Sequence, residues 1–105
     1  MPIVDRVDAT FKAIADPTRR VLIEELHERN DQSLFELCVR LMSGRGFDVS
    51  RQAVSKHIAV LEEAGLLSVR KLGRTNIHHL NTTTRFAEVI AWLAVNTTTS
   101  SEERA

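Results

Sequence analysis

The stretch SRQAVSKHIAVLEEAGLL, residues 50–67, constrains the fold more than any other segment of the chain. Ser50 supplies a side-chain oxygen where the free amides of a helix start need an acceptor. Val54, His57, Ile58 and Leu61 then recur at three- and four-residue steps, which places them on one helix face. Ala64-Gly65 closes the helix, because glycine enters the left-handed backbone past a last turn at little cost. The period then changes. Leu66 to Leu72, Gly73-Arg74 and Thr75 to Leu80 read as strand, tight turn and strand, anchored by Leu67, Val69 and Leu80. Ile77 and Leu80 fall on opposite faces of a regular strand, so a twist, a bulge or one exposed apolar side chain is expected there.

Upstream, Ile3 or Val4, then Val7, Phe11 and Ile14, mark an amphipathic first helix over residues 3–15. Asp16-Pro17 interrupts it and starts a second, roughly 17–29: the carboxylate caps free amides, and proline at the first helical position loses no bond. Val21, Leu22 and Leu26 form its stripe, with Ile23 alongside, while Arg19, Glu24, Glu25 and Glu28 fall largely outside it. Asn30-Asp31 reads as a turn. Ser33 with Glu36 three residues later forms a capping-box pattern for a third helix, buried along Leu34, Leu37, Cys38 and Leu41. Ser43-Gly44-Arg45-Gly46 ends that helix, and a connection of several residues, extended helix or loop, leads to Ser50. Beyond the hairpin, Thr82 to Thr84 are candidate caps for a fifth helix with apolar Phe86, Val89, Ile90 and Leu93, beside Trp92. The expected architecture is mainly α with a β-hairpin, in the order α-α-α-α-β-β-α. One domain spans 1–97 and a flexible tail 98–105.

At 105 residues, 43% hydrophobic and 27% charged, the chain is expected to fold around one small core. No 18-residue apolar run exists, and acids interrupt the first apolar stretch, so a cytoplasmic protein without membrane association is expected. Net charge is zero, yet it is segregated. Residues 51–80 hold five cations against two acids, a net of +3, leaving −3 elsewhere. Such a surface can attract a polyanion while the rest stays acidic.

The third and fourth helices with their connection have the layout of a helix-turn-helix, and the hairpin after them that of a wing. Gln52, Ser55, Lys56 and Ala59 lie opposite the Val54, Ile58 and Leu61 face, and Ser50 and Arg51 join them at the amino end. Amide, hydroxyl, ammonium and guanidinium groups at a positive helix terminus suit phosphates and base edges of double-stranded DNA. Gln52 and Ser55 are assigned base edges, Arg51 and Lys56 phosphates. His57 reads first as a half-buried histidine and second as a phosphate contact. Arg70, Lys71 and Arg74 surround Gly73 in the hairpin, with Arg74 favoured at the tip. The alternative is a winged-helix module that binds protein instead.

FKAIADPTRRVLIEEL (11–26), SRQAVSKHIAVLEEAGLL (50–67) and GRTNIHHL (73–80) resemble the ArsR-type winged helix-turn-helix regulators. The resemblance implies a homodimeric repressor of a palindromic operator, paired through first and last helices. Val4, Val7, Phe11, Ile14, Phe86, Val89, Ile90, Trp92 and Leu93 are the candidate interface, since so small a chain is not expected to cover all these stripes internally; for Phe86 and Trp92 the alternative is packing within one subunit. A small-molecule inducer of unknown identity stays open.

Many members of that family hold thiophilic metals through two cysteines in the third helix. Here ELCVRLM (36–42) has Arg40 where the second would stand. Cys38 alone cannot form a multidentate soft-metal site and faces the core line. His78 and His79, adjacent on a strand, point to opposite faces. No metal, cofactor or catalytic site is expected, and no phosphate loop or nucleophile with an ordered base is present.

Overall fold

A computed structural model describes residues 2–98; apart from Thr98, the expected tail lies outside the described residues. The elements run α1 (Ile3–Ile14), α2 (Pro17–Glu28), β1 (Gln32–Ser33), α3 (Leu34–Val39), a wide π-helical turn (Arg40–Gly44), α4 (Arg51–Glu63), β2 (Leu67–Leu72), β3 (Thr75–Leu80) and α5 (Thr83–Val95). Local chemistry sets most boundaries. The Asp16 carboxylate accepts from the amides of Thr18 at 2.8 Å and Arg19 at 3.2 Å. Ser33 and Glu36 complete a reciprocal capping box, each side chain accepting from the other's amide. Ser50 Oγ accepts from Ala53 at 3.1 Å. Thr82, by contrast, occupies the N-cap of α5 without a side-chain bond, so the expected threonine cap does not form there.

The end of α4 follows from Gly65. The Leu66 amide reaches the Leu61 carbonyl and the Gly65 amide that of Glu62, the paired closure of a Schellman motif. Gly65 carries the positive φ of +79° that this closure needs. Leu61 and Leu66 are both fully buried at the junction.

The hairpin supplies two strands of a three-stranded antiparallel sheet ordered β1-β3-β2. The short strand β1 is absent from the expected element order: Gln32 pairs with His78 and Ser33 with Ile77. It makes β3 a central strand and answers the Ile77 and Leu80 question without a bulge, since the β2–β3 register runs unbroken from Leu67–Leu80 to Leu72–Thr75. Leu80 packs against the core. Ile77 is buried on the other face, at the β1 position that leads into α3.

The core joins Leu22 and Leu26 of α2, Leu37, Cys38 and Leu41 of the third-helix region, Val54, Ile58 and Leu61 of α4, and Leu66 and Leu67. Helix α1 packs on α5, with Val7 and Val89 buried, and Arg6 bonds Glu88 at 2.6 Å between them. The connection between α3 and α4 combines both expected forms: helix continues as the π turn through Gly44, then an irregular link spans 46–50. Glu25, expected largely outside the α2 stripe, is instead 4% exposed. It receives Arg40 at 2.8 Å and Arg45 at 2.7 Å, which fasten the π turn onto α2.

Candidate nucleic-acid interface

Burying Val54, Ile58 and Leu61 in the core leaves the opposite face of α4 outward. Ser50, Arg51, Gln52, Ser55, Lys56 and Ala59 are all exposed, and Arg51, Gln52 and Ser55 line a shallow cleft with Leu34 of α3. The amino half of α4 therefore presents one amide, one hydroxyl and two cations next to the positive end of the helix dipole. Glu62 and Glu63, exposed at the opposite end, lie two to three turns away along the helix.

His57 is half-buried, and Arg19 explains why. The Arg19 fork donates to the carbonyls of Ala13 at 2.6 Å and Lys12 at 3.1 Å, and its Nη1 lies 3.1 Å from His57 Nδ1. A guanidinium has no acceptor, so in this contact Arg19 is the donor and His57 Nδ1 the acceptor. Arg19 thus connects the carboxyl end of α1, the start of α2 and the face of α4. Sequence reasoning placed it merely outside the α2 stripe, although the aspartate-proline-threonine-arginine run at 16–19 was legible.

In the hairpin, Arg70, Lys71 and Arg74 are exposed. Gly73 takes φ +64° at the first turn position, as a type II′ hairpin requires. Arg70 donates to the Asp31 carboxylate at 3.4 Å, and His79 Nδ1 lies 3.0 Å from the same oxygen. The hydrogen bond from His79, against opposing desolvation, holds the Asp31 carboxyl below its ordinary range. Lys71 and Arg74 are therefore the wing cations without a carboxylate partner among the described residues.

The nine residues expected at a subunit interface divide by location. Val7 and Val89 are buried within the chain, and Ile14 and Phe86 lean on its core. Phe11 meets Trp92 edge-to-face, with centroids 5.7 Å apart, and Trp92 remains 50% exposed. Val4, Ile90 and Leu93 are exposed, and Ile3 and Val95, not among those nine, extend the same surface. Ile3, Val4, Val7, Trp92 and Val95 line a hollow of about 310 Å³ between α1 and α5.

Among the described residues no three His, Cys, Asp or Glu side chains are arranged to hold a metal ion. Burial pushes the Cys38 thiol up, against a smaller opposing effect of Arg51, and Arg40 serves Glu25. No described helix is long and apolar enough to cross a membrane.

Residues 14–70 match the family described as a helix-turn-helix domain. The HTH-type transcriptional regulator YuzN of Bacillus subtilis is 44% identical over 70 residues, 67% of this chain and 76% of that protein. A crystal structure of an ArsR family transcriptional regulator is 32% identical with a TM-score of 0.69, covering 86% of this chain and 84% of that one. The chain belongs to the ArsR-type winged helix-turn-helix transcriptional regulators. This is a family of DNA-binding regulators, not enzymes. The transcriptional repressor SdpR of Bacillus subtilis is 30% identical over 83 residues, 79% of this ArsR-type chain and 83% of that relative. In the ArsR-type frame, α3 and α4 are the helix-turn-helix, and β2 with β3 is the wing.

Proposed function

We propose that this ArsR-type chain is a cytoplasmic homodimeric repressor that binds a palindromic operator through α4 of each protomer. The observation that carries this reading is the division of α4: Val54, Ile58 and Leu61 are buried, and Arg51, Gln52, Ser55 and Lys56 are exposed at its amino end. The Gln52 amide can bond bidentately to adenine, and Ser55 is short enough to sit close to a base edge. Ser50, Arg51 and Lys56 hold phosphates. Arg74 and Lys71 of the wing reach the neighbouring groove, with Arg70 contributing to the extent that Asp31 releases it. His57 positions α4 through Arg19.

The homodimer rests on the apolar surface of α1 and α5. Val4, Ile90, Trp92 and Leu93 have no fold reason to be exposed together. A second copy on this surface is expected to set two recognition helices about 34–36 Å apart, one turn of DNA. The likeness to a named repressor supports repression. The unit that does this is the single domain up to residue 97, with no cofactor or metal required.

Selection of duplexes from a random library by the purified protein tests the reading, combined with sedimentation of the free protein. Inverted half-sites about 10–10.5 base pairs apart, centre to centre, and a dimer are expected. A monomer that retains no duplex at low salt overturns it and leaves the protein-binding module as the surviving alternative.

A further inference from the structure

Phe35 is an aromatic side chain that folding does not use. It stands at the second position of α3 with 66% of its surface exposed, although Leu37, two residues on, is completely buried. One exposed apolar residue is ordinary on a protein surface, so the surroundings decide its meaning. Phe35 lines a cleft of about 350 Å³ together with Ser33, Arg51, Arg74, Thr75 and Asn76. The start of α3, the amino end of the recognition helix and the wing turn therefore converge on one space. Arg51 and Arg74 come from elements more than 20 residues apart in sequence, and among the described residues no carboxylate pairs with either.

We propose that this cleft seats a single backbone phosphate of bound DNA between Arg51 and Arg74, with the Phe35 ring against the adjoining deoxyribose and base edge. The inference rests on the DNA-binding reading given above for α4 and the wing. Two guanidiniums beside the positive end of a thirteen-residue helix complement one phosphate, and guanidinium forks match its oxygens. The sugar beside a phosphate presents an apolar C–H surface, and a thymine adds a methyl group. An exposed phenyl ring fits these and offers nothing to the phosphate itself. The two arginines lock the wing and the recognition helix to the same point of the backbone, which fixes their relative register.

The two contributions separate by salt. A charged contact releases a counterion and steepens the salt dependence, whereas an apolar one does not. The probe is the duplex selected by the wild-type protein, prepared also with a neutral methylphosphonate at each single backbone position in turn. Arg51→Ala and Arg74→Ala are each expected to flatten the slope of log affinity against log salt by about 0.9. One methylphosphonate position is expected to remove the effect of both. Phe35→Ala is expected to weaken binding by about tenfold at unchanged slope, and Phe35→Tyr to stay within about twofold of wild type. Unchanged circular-dichroism melting verifies that Phe35→Ala remains folded; if it does not, the phosphate mapping and Phe35→Tyr decide. Separate phosphate positions for the two arginines, or wild-type affinity in Phe35→Ala, overturn the proposal while wild-type binding leaves the regulator reading intact. Wild-type protein that binds no duplex at low salt overturns both.

Discussion

Arg19 Nη1 lies 3.1 Å from His57 Nδ1, so the second helix holds the recognition helix through a side chain 38 residues away. The same guanidinium takes two carbonyls at the end of α1. Lysine cannot reproduce this fork, because its single ammonium lacks the planar set of donors. Arg19→Lys and Arg19→Ala are expected to cost about 2 kcal/mol of unfolding free energy and to weaken DNA binding, since α4 loses a restraint on its position. Denaturant titration and binding to the selected duplex check this. Wild-type values for both would show that the contact positions nothing.

Glu25 is a buried carboxylate between two arginines. Desolvation alone would raise it, but hydrogen bonds from Arg40 and Arg45, with the charges of both, hold it below its ordinary value of 4.5. The stability this site contributes is thus fully present above about pH 4.5 and is lost as pH falls through the lower folded value. Glu25→Ala removes one bond each from Arg40 and Arg45, both part-exposed and the latter still held by Glu24 at 2.7 Å, and is expected to cost about 2 kcal/mol at neutral pH. Part of the acid-side decline in stability is expected to disappear in that variant. Melting curves from pH 3 to 7 test both statements; an unchanged acid limb would remove Glu25 from its cause.

Gly65 combines a positive φ with crowding: a Cβ there would stand 2.9 Å from Nε of Arg85. Left-handed backbone costs a non-glycine residue roughly 1–2 kcal/mol, and Arg85 must also move. Gly65→Ala is expected to lower stability by at least that amount, measured by denaturant unfolding. A smaller loss in Gly65→Asn than in Gly65→Ala would confirm that backbone conformation dominates.

Cys38 has a thiol pushed up by burial, so the reactive thiolate is scarce at neutral pH. Iodoacetamide labelling of the folded protein is expected to be slow and to accelerate on unfolding. Cys38→Ala is expected to keep wild-type DNA affinity at a stability cost of about 1 kcal/mol. Rapid labelling of the native protein, or lost DNA binding, would assign the thiol a role beyond packing.

What could be read in advance depended on how far apart the partners lie. Asp16, Ser33 with Glu36, Ser50 and Gly65 act on backbone within a few residues, so their sequence patterns carried the helix ends directly. The two faces of α4 were legible for the same reason, through period. Strand β1 was not, because two residues have no period and Gln32–Ser33 becomes a strand only by pairing with β3 across more than 40 positions. Burial of Glu25 depended on arginines 15 and 20 residues away, and acids on an amphipathic helix ordinarily face solvent. Phe35 sat in a helix whose apolar line was already filled by Leu34, Leu37, Cys38 and Leu41, so its exposure gave no signal until the wing and α4 were placed around it.

The exposed amino half of α4 as a reader of sequence is the central claim, and competitive binding of wild type and Gln52→Ala to a panel of single-base operator variants tests it most directly. The variant is expected to lose discrimination at one base pair in each half-site, by about 1–3 kcal/mol, while ranking the other positions as wild type does. An equal loss on every sequence, or no loss on any, would contradict the claim.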